Sequence, residues 1–303
     1  MKKVLVTGGK GYIGQYIVDY LQQNSWDVYV TSRKKNLDKR CFYMELLDEK
    51  SISGICKGMD AVIHLANFDE RLVKDRAKDA LLCNSFATRE LYRDAVKQGV
   101  KKFIYFSTFH VYGQSSGHIS EDDIPYPKND YGMTHYFAEK YLEQLSLGQG
   151  TCVDIIRLTN GIGVPKNVDR WYLVLNDFCR TVYETGKIIL QSNGLQMRDF
   201  VAMQDVGSAV NILLQYEESY GVHLYNVSGE KAYSIRELAV KVGEIYEQRY
   251  NKEAKVQIPN LKKDYMKNEV ALSVSSKNIR DIGWTPTYSI DDVIVDIFSS
   301  FDK

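Results

Sequence analysis

Short apolar runs alternate with longer amphipathic stretches through the first half of the chain. The apolar runs are rich in β-branched and aromatic residues and cover Lys3–Val6, Asp27–Thr31, Ala61–Leu65, Lys102–Phe106 and Val153–Leu158. Continuous apolar runs of this length are typical of strands buried on both faces. The stretches between them predict helices at Ile13–Asn24, Ser51–Lys57, Ala80–Gln98 and Tyr131–Leu147. This alternation predicts an α/β fold with a doubly wound parallel sheet and right-handed crossovers.

The alternation becomes less regular in the second half. The pattern there predicts helices at Arg170–Thr185, Val206–Tyr216 and Ser234–Tyr250, and strands at KIIL from Lys187 and at VHLYNV before Ser234. The Ser-x-x-Glu sequence that starts at Ser234 is a candidate capping box. We therefore expect a larger domain over residues 1–165 and a smaller lobe mainly over residues 166–303, with some segments returning to the larger domain. Trp284, in GWTP, is expected to anchor the C-terminal segment to the smaller lobe.

Charge and cysteine content exclude several classes of partner. Lys plus Arg and Asp plus Glu number 39 each, so no net field favours nucleic acid or an anionic membrane. The apolar run after MKK is too short for a signal peptide, and no stretch is long enough to span a bilayer. The odd, scattered cysteines indicate reduced thiols in the cytoplasm and no metal site; they are Cys41, Cys56, Cys83, Cys152 and Cys179. Lys262, Lys263 and Lys267 either bind a nucleotide phosphate or lie solvated on the surface.

Three glycines stand between the first strand and the first helix. Gly8 permits a tight turn, Gly11 lets the backbone approach a pyrophosphate, and Gly14 permits close packing of the helix. The N-terminus of the helix supplies free N–H groups for the anion. The alternative is an ordinary strand–helix turn, but a buried strand before the glycines and an amphipathic helix after them are the context that dinucleotide binding requires.

The end of the second strand bears on the choice of dinucleotide. An acidic residue there would accept hydrogen bonds from the ribose hydroxyls of NAD. This chain has Ser32 and Arg33 instead, in TSRKK. A hydroxyl and a guanidinium suit a ribose 2′-phosphate. The residues therefore favour NADP(H), with NAD(H) possible, and the alternative is a solvated basic turn.

Further motifs follow in one order along nearly the whole chain. They are DAVIHLAN, the helix containing Asn84, GVKKFIYFSTFHVYG, YGMTHYFAEKYL, RLTNGIGVP, RDFVAMQDV, YNVSGEKAYSIRELA and GWTPTYSIDD. Together they resemble the extended short-chain dehydrogenase/reductases, in particular the nucleotide-sugar epimerases, dehydratases and reductases. The resemblance implies an NAD(P)-binding Rossmann domain at 1–165, a substrate-binding lobe at 166–303, and an active site in the cleft between them. It also implies a homodimer formed through the helices at Ala80–Gln98 and Tyr131–Leu147.

The resemblance assigns roles to particular residues. Thr108 hydrogen-bonds the sugar oxygen at the reacting carbon, and Tyr131 is the general base in oxidation and the acid in reduction. Contacts to the cofactor are assigned to Gly8, Gly11, Tyr12, Ile13, Gly14, Ser32, Arg33, Glu45, Leu46, Leu65, Ala66, Asn84, Ser107, Tyr131, His135 and Leu158. Contacts to a nucleotide-diphosphate sugar are assigned to Thr108, His110, Asn160 and Arg198.

One departure concerns the activation of the tyrosine. The resembled family has a lysine four residues after the tyrosine, whose charge lowers the tyrosine pKa from its ordinary value of about 10. This chain has His135 there, and a histidine is mostly neutral at pH 7. Activation of Tyr131 would then rest mainly on the charge of the oxidised nicotinamide. Tyr136 and Lys140 stand at the same spacing and are an alternative pair, although they face about 140° away around the helix.

A second departure narrows the reaction. The 4,6-dehydratases of the resembled family place an Asp-Glu pair after the threonine, where this chain has Phe109 and His110. Dehydration is therefore disfavoured. The leading hypothesis is hydride transfer at a sugar ring carbon, C4 first, by a 4-ketoreductase or a 4-epimerase. The alternative is a dinucleotide-binding or regulatory protein of the same fold with impaired catalysis, which only His135 supports.

Overall fold

The strands predicted in the first half of the chain form one sheet. The computed structural model describes residues 2–35, 38–216, 220–259 and 271–302, so Lys262, Lys263 and Lys267 lie outside the described residues. The strands are β1 (Lys3–Thr7), β2 (Asp27–Ser32), β3 (Cys41–Tyr43), β4 (Ala61–His64), β5 (Lys102–Thr108), β6 (Gly117–Ile119), β7 (Cys152–Leu158), β8 (Asn160–Ile162), β9 (Lys187–Ile189), β10 (Met197–Ala202), β11 (Val222–Val227), β12 (Ala232–Ser234), β13 (Lys255–Gln257) and β14 (Leu272–Val274). In the described residues, seven of these strands pair in parallel in the order β11-β7-β5-β4-β1-β2-β3. The sheet confirms the predicted fold class.

Helices connect the strands and cover both faces of the sheet. They are α1 (Tyr12–Gln23), α2 (Glu49–Ile52), α3 (Glu70–Val73), α4 (Ala77–Leu81), α5 (Ala87–Lys97), α6 (Asp130–Ser146), α7 (Val174–Thr185), α8 (Met203–Gln215), α9 (Ile235–Tyr250), α10 (Lys277–Asp281) and α11 (Ile290–Phe301). A π-helical turn at Leu82–Phe86 joins α4 to α5, and a 3-10 helix at Phe109–Tyr112 follows β5. The predicted capping box at Ser234 is present at the start of α9.

The apolar strands of the main sheet pack into two hydrophobic cores, one on each face of the sheet. Val4 and Val6 pack with α1 and α8 on one face of the sheet, while Leu5 packs with α5 on the other. All three side chains are fully buried, which explains why the strands are not amphipathic. A third core lies among α7, α9 and α11.

Two helices predicted in the first half of the chain are shortened or interrupted, and the helix predicted at Arg170–Thr185 begins later, at Val174. The helix predicted at Ser51–Lys57 ends at Ile52, because the Asp94 carboxylate accepts hydrogen bonds from the N–H groups of Gly54 and Cys56 at 2.7 and 3.0 Å. The helix predicted at Ala80–Gln98 is interrupted by the π-helical turn. Its buried Asn84 accepts a hydrogen bond from the Phe68 N–H at 2.7 Å, a tertiary contact that the periodicity of the sequence does not contain.

The prediction for Trp284 is wrong. Its side chain packs in the same core as Val4 and Val6. The indole N–H donates to the Asp205 carbonyl and the Ser208 hydroxyl of α8 at 3.2 and 3.0 Å. Trp284 therefore fastens the C-terminal segment to the core beside the main sheet, because α8 itself packs against α1 there.

Candidate active site

The glycine loop lies at the carboxyl edge of the sheet. Gly8 has a φ of +69°, and a methyl group on it would lie 2.9 Å from the Ala66 nitrogen. A methyl group on Gly14 would lie 2.2 Å from the Gly8 carbonyl oxygen. At Gly11 the same methyl group would meet only the Gly8 oxygen, at 3.1 Å. The loop is thus packed tightly against neighbouring backbone at Gly8 and Gly14. At Gly11 there is more room, so a ligand can approach the backbone there.

The N-terminus of α1 is not capped by a side chain. Gly11 is the N-cap residue and offers no hydrogen-bonding side chain. The Tyr12 hydroxyl points away from the loop and donates to the Gly163 carbonyl at 2.7 Å. Burial raises the pKa of Tyr12 to about 12. The backbone N–H groups at Tyr12 and Ile13 are therefore what this helix can offer an anion.

The ends of β1 and β4 are joined beside the loop. The Thr7 hydroxyl accepts hydrogen bonds from the N–H groups of Leu65 and Ala66, both at 3.2 Å. It also lies 2.7 Å from Nδ1 of His64, whose Nε2 lies 2.9 Å from the Thr88 hydroxyl. Burial lowers the pKa of His64 to about 3. A neutral imidazole thus fixes the strand ends that carry two predicted cofactor contacts.

Four of the predicted cofactor contacts lie at the ends of β2 and β3; they are Ser32, Arg33, Glu45 and Leu46. Arg33 follows β2 and is exposed, and the Ser32 hydroxyl accepts from the Lys34 N–H at 3.1 Å. Glu45 follows β3, and its N–H donates to the Ser51 hydroxyl at 2.9 Å. Arg33 and Glu45 act electrostatically, with opposite signs, on the Cys83 thiol, so both lie near it. Leu46 is the next residue along the chain after Glu45. The structure therefore brings these predicted cofactor contacts to one region.

Two further residues predicted to contact the cofactor, Asn84 and Ser107, form hydrogen bonds with other residues of the protein. The Asn84 amide nitrogen donates to the Thr134 hydroxyl at 3.0 Å while its oxygen accepts from Phe68. The Ser107 hydroxyl donates to the buried Glu139 carboxylate. Asn84 and Ser107 are both nearly fully buried. Leu158 lies beside them on β7, in register with Thr108 of β5.

Thr108 and Tyr131 lie together although 23 positions separate them in the sequence. Thr108 ends β5 and caps the following 3-10 helix by accepting from the His110 N–H at 3.2 Å. Tyr131 lies in the first turn of α6. Gly132 permits this approach, because a methyl group on it would lie 2.6 Å from the His110 carbonyl oxygen. The Tyr131 ring lies edge-on to that of His110 with 5.7 Å between centroids.

The surroundings of Tyr131 favour its neutral phenol. Burial raises the pKa of Tyr131 most, and the carboxylates of Glu70 and Asp69 raise it further. A hydrogen bond from Thr108 and the charge of Arg170 act in the opposite direction. The net result is a pKa above the ordinary value of 10. Tyr131 is therefore protonated at neutral pH in the protein without its cofactor.

His135 lies one turn further along α6. Its ring centroid is 4.7 Å from that of Tyr131, and its Nδ1 lies 2.7 Å from the Tyr105 hydroxyl. Burial, with smaller effects from His64 and His110, lowers the pKa of His135 to about 3. Its Nε2 is buried and has no hydrogen-bond partner among the described residues. A polar atom of this kind is costly unless a bound ligand satisfies it.

Lys140 lies elsewhere on α6. Its ammonium lies 2.7 Å from the Glu143 carboxylate and 5.1 Å from the centre of the Tyr136 ring, and the lysine is exposed. Tyr136 packs against Val111 and Tyr112. The positive charge of Lys140 is thus balanced by a neighbouring carboxylate and solvated by water.

Sequence reasoning missed a buried ion pair behind the site. The Glu139 carboxylate lies 2.7 Å from the Arg157 guanidinium, and the two side chains are 1% and 4% exposed. Glu139 also accepts from Ser107. The signal was available: Tyr131, His135 and Glu139 recur every four residues and so share one face of α6.

A second missed group approaches Tyr131 from the loop after β4. Asp69 caps α3 and pairs with Arg71 at 2.8 Å, which lowers the pKa of Asp69 to about 2. Asp69 also lies 3.6 Å from the Arg170 guanidinium, on the segment before α7. Glu70 lies 3.9 Å from Nε2 of His110. No sequence motif connects residues 69–71 to Arg170 or His110, so only the fold could reveal this group.

The predicted substrate contacts lie partly in a separate three-stranded sheet of β12, β10 and β8. Asn160 begins β8, and its amide nitrogen donates to the Asp199 carbonyl at 2.8 Å. Arg198, on β10, is exposed. Asp199 follows Arg198 on β10, and burial raises the pKa of its carboxyl group to about 6. The structure thus brings Asn160 and Arg198 together, while His110 lies with Thr108 and Tyr131.

The residues present fit a nicotinamide dinucleotide. The open side of the loop at Gly11 and the uncapped start of α1 suit a pyrophosphate. The buried Nε2 of His135 is a polar atom that a ribose hydroxyl would satisfy. Within the described residues, no cluster of three or more His, Cys, Asp and Glu side chains is arranged to hold a metal ion. The helices of that part of the chain include none that is long and apolar enough to cross a membrane.

Comparisons with known proteins agree with this geometry. Residues 4–228 match the model of the NAD dependent epimerase/dehydratase family. The chain is 30% identical over 259 residues to a GDP-6-deoxy-D-mannose reductase of Pseudomonas aeruginosa, covering 80% of each chain. It is 26% identical over 310 residues to a dTDP-D-glucose 4,6-dehydratase of Mus musculus, covering 94% of this chain and 84% of the relative. The solved structure of RMD from Pseudomonas aeruginosa complexed with NADPH matches with a TM-score of 0.81 and 25% identity, covering 100% of this chain and 99% of that one. The resemblance inferred from the motifs is confirmed: the chain belongs to the NAD dependent epimerase/dehydratase family and is an enzyme of that family.

Proposed function

We propose that this enzyme is an NADP(H)-preferring nucleotide-sugar oxidoreductase that acts at C4 of the sugar, as a 4-ketoreductase or a 4-epimerase. The observation that carries the proposal is the juxtaposition of Thr108 and Tyr131 at the carboxyl edge of the sheet, beside a glycine loop that fits a pyrophosphate. The names of similar proteins, a reductase and a dehydratase of nucleotide sugars, support the substrate class. We also propose that residues 1–165 bind the dinucleotide and that residues 166–303 mainly bind the sugar nucleotide.

Each residue of the site has a chemical task in this proposal. A bound nicotinamide supplies or accepts the hydride. Tyr131 exchanges a proton with the oxygen at the reacting carbon, for which its phenol must lie within hydrogen-bond reach. Thr108 orients that oxygen, and Nε2 of His135 holds a ribose hydroxyl of the cofactor. We also propose that His110 contacts the sugar.

The substrate diphosphate is assigned to Asn160 and Arg198. Arg198 is an exposed cation at the edge of the smaller lobe, and a guanidinium matches phosphate geometry. Asn160 lies on the neighbouring strand, where Phe200 of β10 is its partner in register. Their position on two paired strands of one small sheet supports the assignment of both to one phosphate-binding region.

The preference for NADP(H) is assigned to Arg33, with NAD(H) as the alternative. Arg33 is exposed at the end of β2, where a guanidinium could pair with a ribose 2′-phosphate. In Arg33→Ala we expect the dissociation constant for NADPH to rise about tenfold, within the range for a hydrogen bond to a charged group, and that for NADH to stay unchanged. Isothermal titration checks this, with Lys57→Ala as the control for a lost surface charge. Tighter binding of NADH than NADPH by the wild type would contradict the assignment.

A homodimer is the proposed assembly. Leu81 and Leu82 of the α4 region and Met133 and Phe137 of α6 are 42%, 38%, 37% and 45% exposed. Large apolar side chains exposed on neighbouring helices are typical of an interface. A second copy would cover them through the same helices. We propose a cytoplasmic location as well, since all five cysteines are buried thiols.

The proposed activity is tested with nucleotide sugars directly. The enzyme is incubated with NADPH and a 4-keto-6-deoxy nucleotide sugar, and the loss of NADPH absorbance is followed. Net consumption identifies a reductase. Conversion of the matching 4-hydroxy sugar into its C4 epimer, with no net change in the amount of reduced cofactor, identifies an epimerase. Tight cofactor binding without turnover of any nucleotide sugar would contradict the proposal and favour a catalytically impaired member of the family.

A further inference from the structure

The position one helical turn after Tyr131 holds a neutral imidazole rather than a cation. From α6 Tyr131 meets His135, which is 1% exposed and bonded through Nδ1 to the Tyr105 hydroxyl. From the 3-10 helix it meets His110. A neutral imidazole can hold a hydroxyl group, but unlike an ammonium group it contributes no positive charge.

The charges that face Tyr131 from across the cleft are largely paired with one another, because Asp69 pairs with Arg71 at 2.8 Å as well as with Arg170. The loop after β4 contributes Asp69 and Glu70, and the segment before α7 contributes Arg170. The Arg170 guanidinium is 3.6 Å from Asp69 and is hydrogen-bonded to the Tyr172 hydroxyl. Its charge is therefore largely balanced. Glu70 is 60% exposed, so water screens its effect. Burial beside a neutral imidazole is therefore the main feature of the site.

This arrangement affects the two directions of hydride transfer differently. Oxidation of a sugar hydroxyl requires a base, so Tyr131 would first have to lose its proton. Epimerisation at C4 and 4,6-dehydration both begin with oxidation of the C4 hydroxyl. Reduction of a 4-keto group requires an acid, which a protonated phenol already is.

We infer that the active site is built for reduction, and that its substrate is a nucleoside-diphosphate 4-ketosugar. The inference rests on the proposed nucleotide-sugar function and chooses between its two reactions. With a reduced nicotinamide bound to supply a hydride, the carbonyl carbon would take that hydride and the carbonyl oxygen would take the Tyr131 proton as its π bond becomes an O–H bond. Solvent would then return a proton to Tyr131. The products are a C4 alcohol and an oxidised cofactor, so each turnover consumes one reduced cofactor. A reaction that creates a ketone at C4 of a nucleotide sugar must supply the substrate.

The test compares initial rates in the two directions between about pH 6 and pH 9, a window below the ordinary tyrosine pKa of about 10. The enzyme is given NADPH with a nucleoside-diphosphate 4-keto-6-deoxysugar, and separately NADP+ with the matching 4-hydroxy sugar. In the wild type we expect a reduction rate that does not change with pH. The oxidation rate should rise about tenfold for each pH unit, because it follows the fraction of phenolate.

His135→Lys should shift these profiles. A cation next to Tyr131 lowers its pKa by about 1 to 3, so the rate of oxidation at pH 7 should rise at least about tenfold, while reduction should begin to fall at alkaline pH. Gln144→Lys adds the same charge at an exposed position on α6 and should leave both profiles in place. A purely structural role of His135 would not move a pH profile.

The outcomes separate the inference from the proposed function. If the wild type oxidises as fast as it reduces at pH 7, or interconverts C4 epimers without net cofactor consumption, the inference is wrong and the function stands. If no variant shows turnover in either direction, the proposed function is wrong. The wild-type profile alone decides the question if His135→Lys does not fold.

Discussion

The glycine loop and the start of α6 are the two halves of the candidate active site, and they depend on different kinds of contact. In the loop, Gly8 and Gly14 contact residues close in sequence or on the adjacent strand end, and a methyl group on Gly14 would meet the Gly8 carbonyl oxygen at 2.2 Å. At Tyr131 the neighbours come from β5, the 3-10 helix, α3 and the segment before α7. A local motif can therefore specify where the cofactor binds, but the chemistry at Tyr131 depends on contacts between distant parts of the chain.

The largest expected effect concerns the start of α6. Tyr131→Phe removes the only atom of that side chain that can exchange a proton, and general acid–base catalysis contributes about 10²- to 10⁴-fold in rate. We expect kcat to fall by that factor while the dissociation constant for NADPH, held mainly by the glycine loop, stays within about twofold of the wild type, a difference well below 1.4 kcal/mol. Steady-state kinetics and cofactor titration measure the two quantities.

Tyr136→Phe is the matched variant for this prediction. Tyr136 packs against Val111 and Tyr112, and its loss of a hydroxyl should leave kcat nearly unchanged. If Tyr136→Phe abolishes turnover and Tyr131→Phe does not, the assignment of the proton donor is wrong and the alternative pair with Lys140 is right.

The second prediction concerns the buried pair behind the site. Glu139→Gln leaves the Arg157 guanidinium buried without its carboxylate, and breaking a buried pair in this way costs about 3–5 kcal/mol. Denaturant unfolding should show that loss in the free energy of unfolding. Glu143→Gln, which breaks an exposed pair with Lys140, should cost less than about 1 kcal/mol. Equal effects of the two variants would show that burial does not determine the strength of these pairs.

The sequence predicted the fold well where contacts are local. The five strands of the first half are all present, as is the capping box at Ser234, because apolar runs and capping residues act over a few positions. Trp284 was misplaced because its partners, Asp205 and Ser208, are more than 70 positions away. The helix at Ser51–Lys57 was overextended because the Asp94 carboxylate that ends it lies on another helix.

The same distinction applies to the candidate site. The motifs placed Thr108, Tyr131 and His135 correctly as neighbours, although their roles stay predictions. They did not reveal that Tyr105 bonds His135 or that Glu70 lies 3.9 Å from His110. Those contacts join residues from separate strands, loops and helices. No fixed spacing in a single sequence indicates which of these elements lie next to each other in space.

The third prediction tests how local the glycine loop is. Gly14→Ala places a methyl group 2.2 Å from the Gly8 carbonyl oxygen, and overpacking of this kind costs about 1–3 kcal/mol. The free energy of unfolding should fall by that amount, and affinity for NADPH should fall too because the loop must move. Gly150→Ala, whose methyl group would meet nothing within 4 Å, should change neither quantity. Unchanged cofactor affinity in Gly14→Ala would mean that the loop is more adaptable than its geometry indicates.

The smallest expected effect, taken per unit of pH, compares two buried histidines, one in each half of the site. His64 fixes the strand ends beside the glycine loop and His135 lies below Tyr131, and burial lowers the pKa of both to about 3. Their ordinary pKa is about 6.5, so between about pH 3 and pH 6.5 the unfolded chain binds protons that the folded chain does not. Stability should therefore rise with pH in this window, by about 1.4 kcal/mol per pH unit for each histidine.

Asp199 opposes this effect. Burial raises its pKa from 3.8 to about 6, so the folded chain binds the extra proton there, and its contribution to stability falls as the pH rises through that range. Burial also raises the pKa of Glu121, so the net slope between about pH 4 and pH 6 should be smaller than the sum for the two histidines. His64→Gln and His135→Gln should each lower the slope by the same amount, and the exposed His118→Gln should not change it. An imidazole that keeps its ordinary pKa contributes no slope. A reduced slope in only one of the two variants would therefore show that the two histidines are not buried to the same extent, so that the two halves of the site differ in burial as well as in how distant in sequence their contacts are.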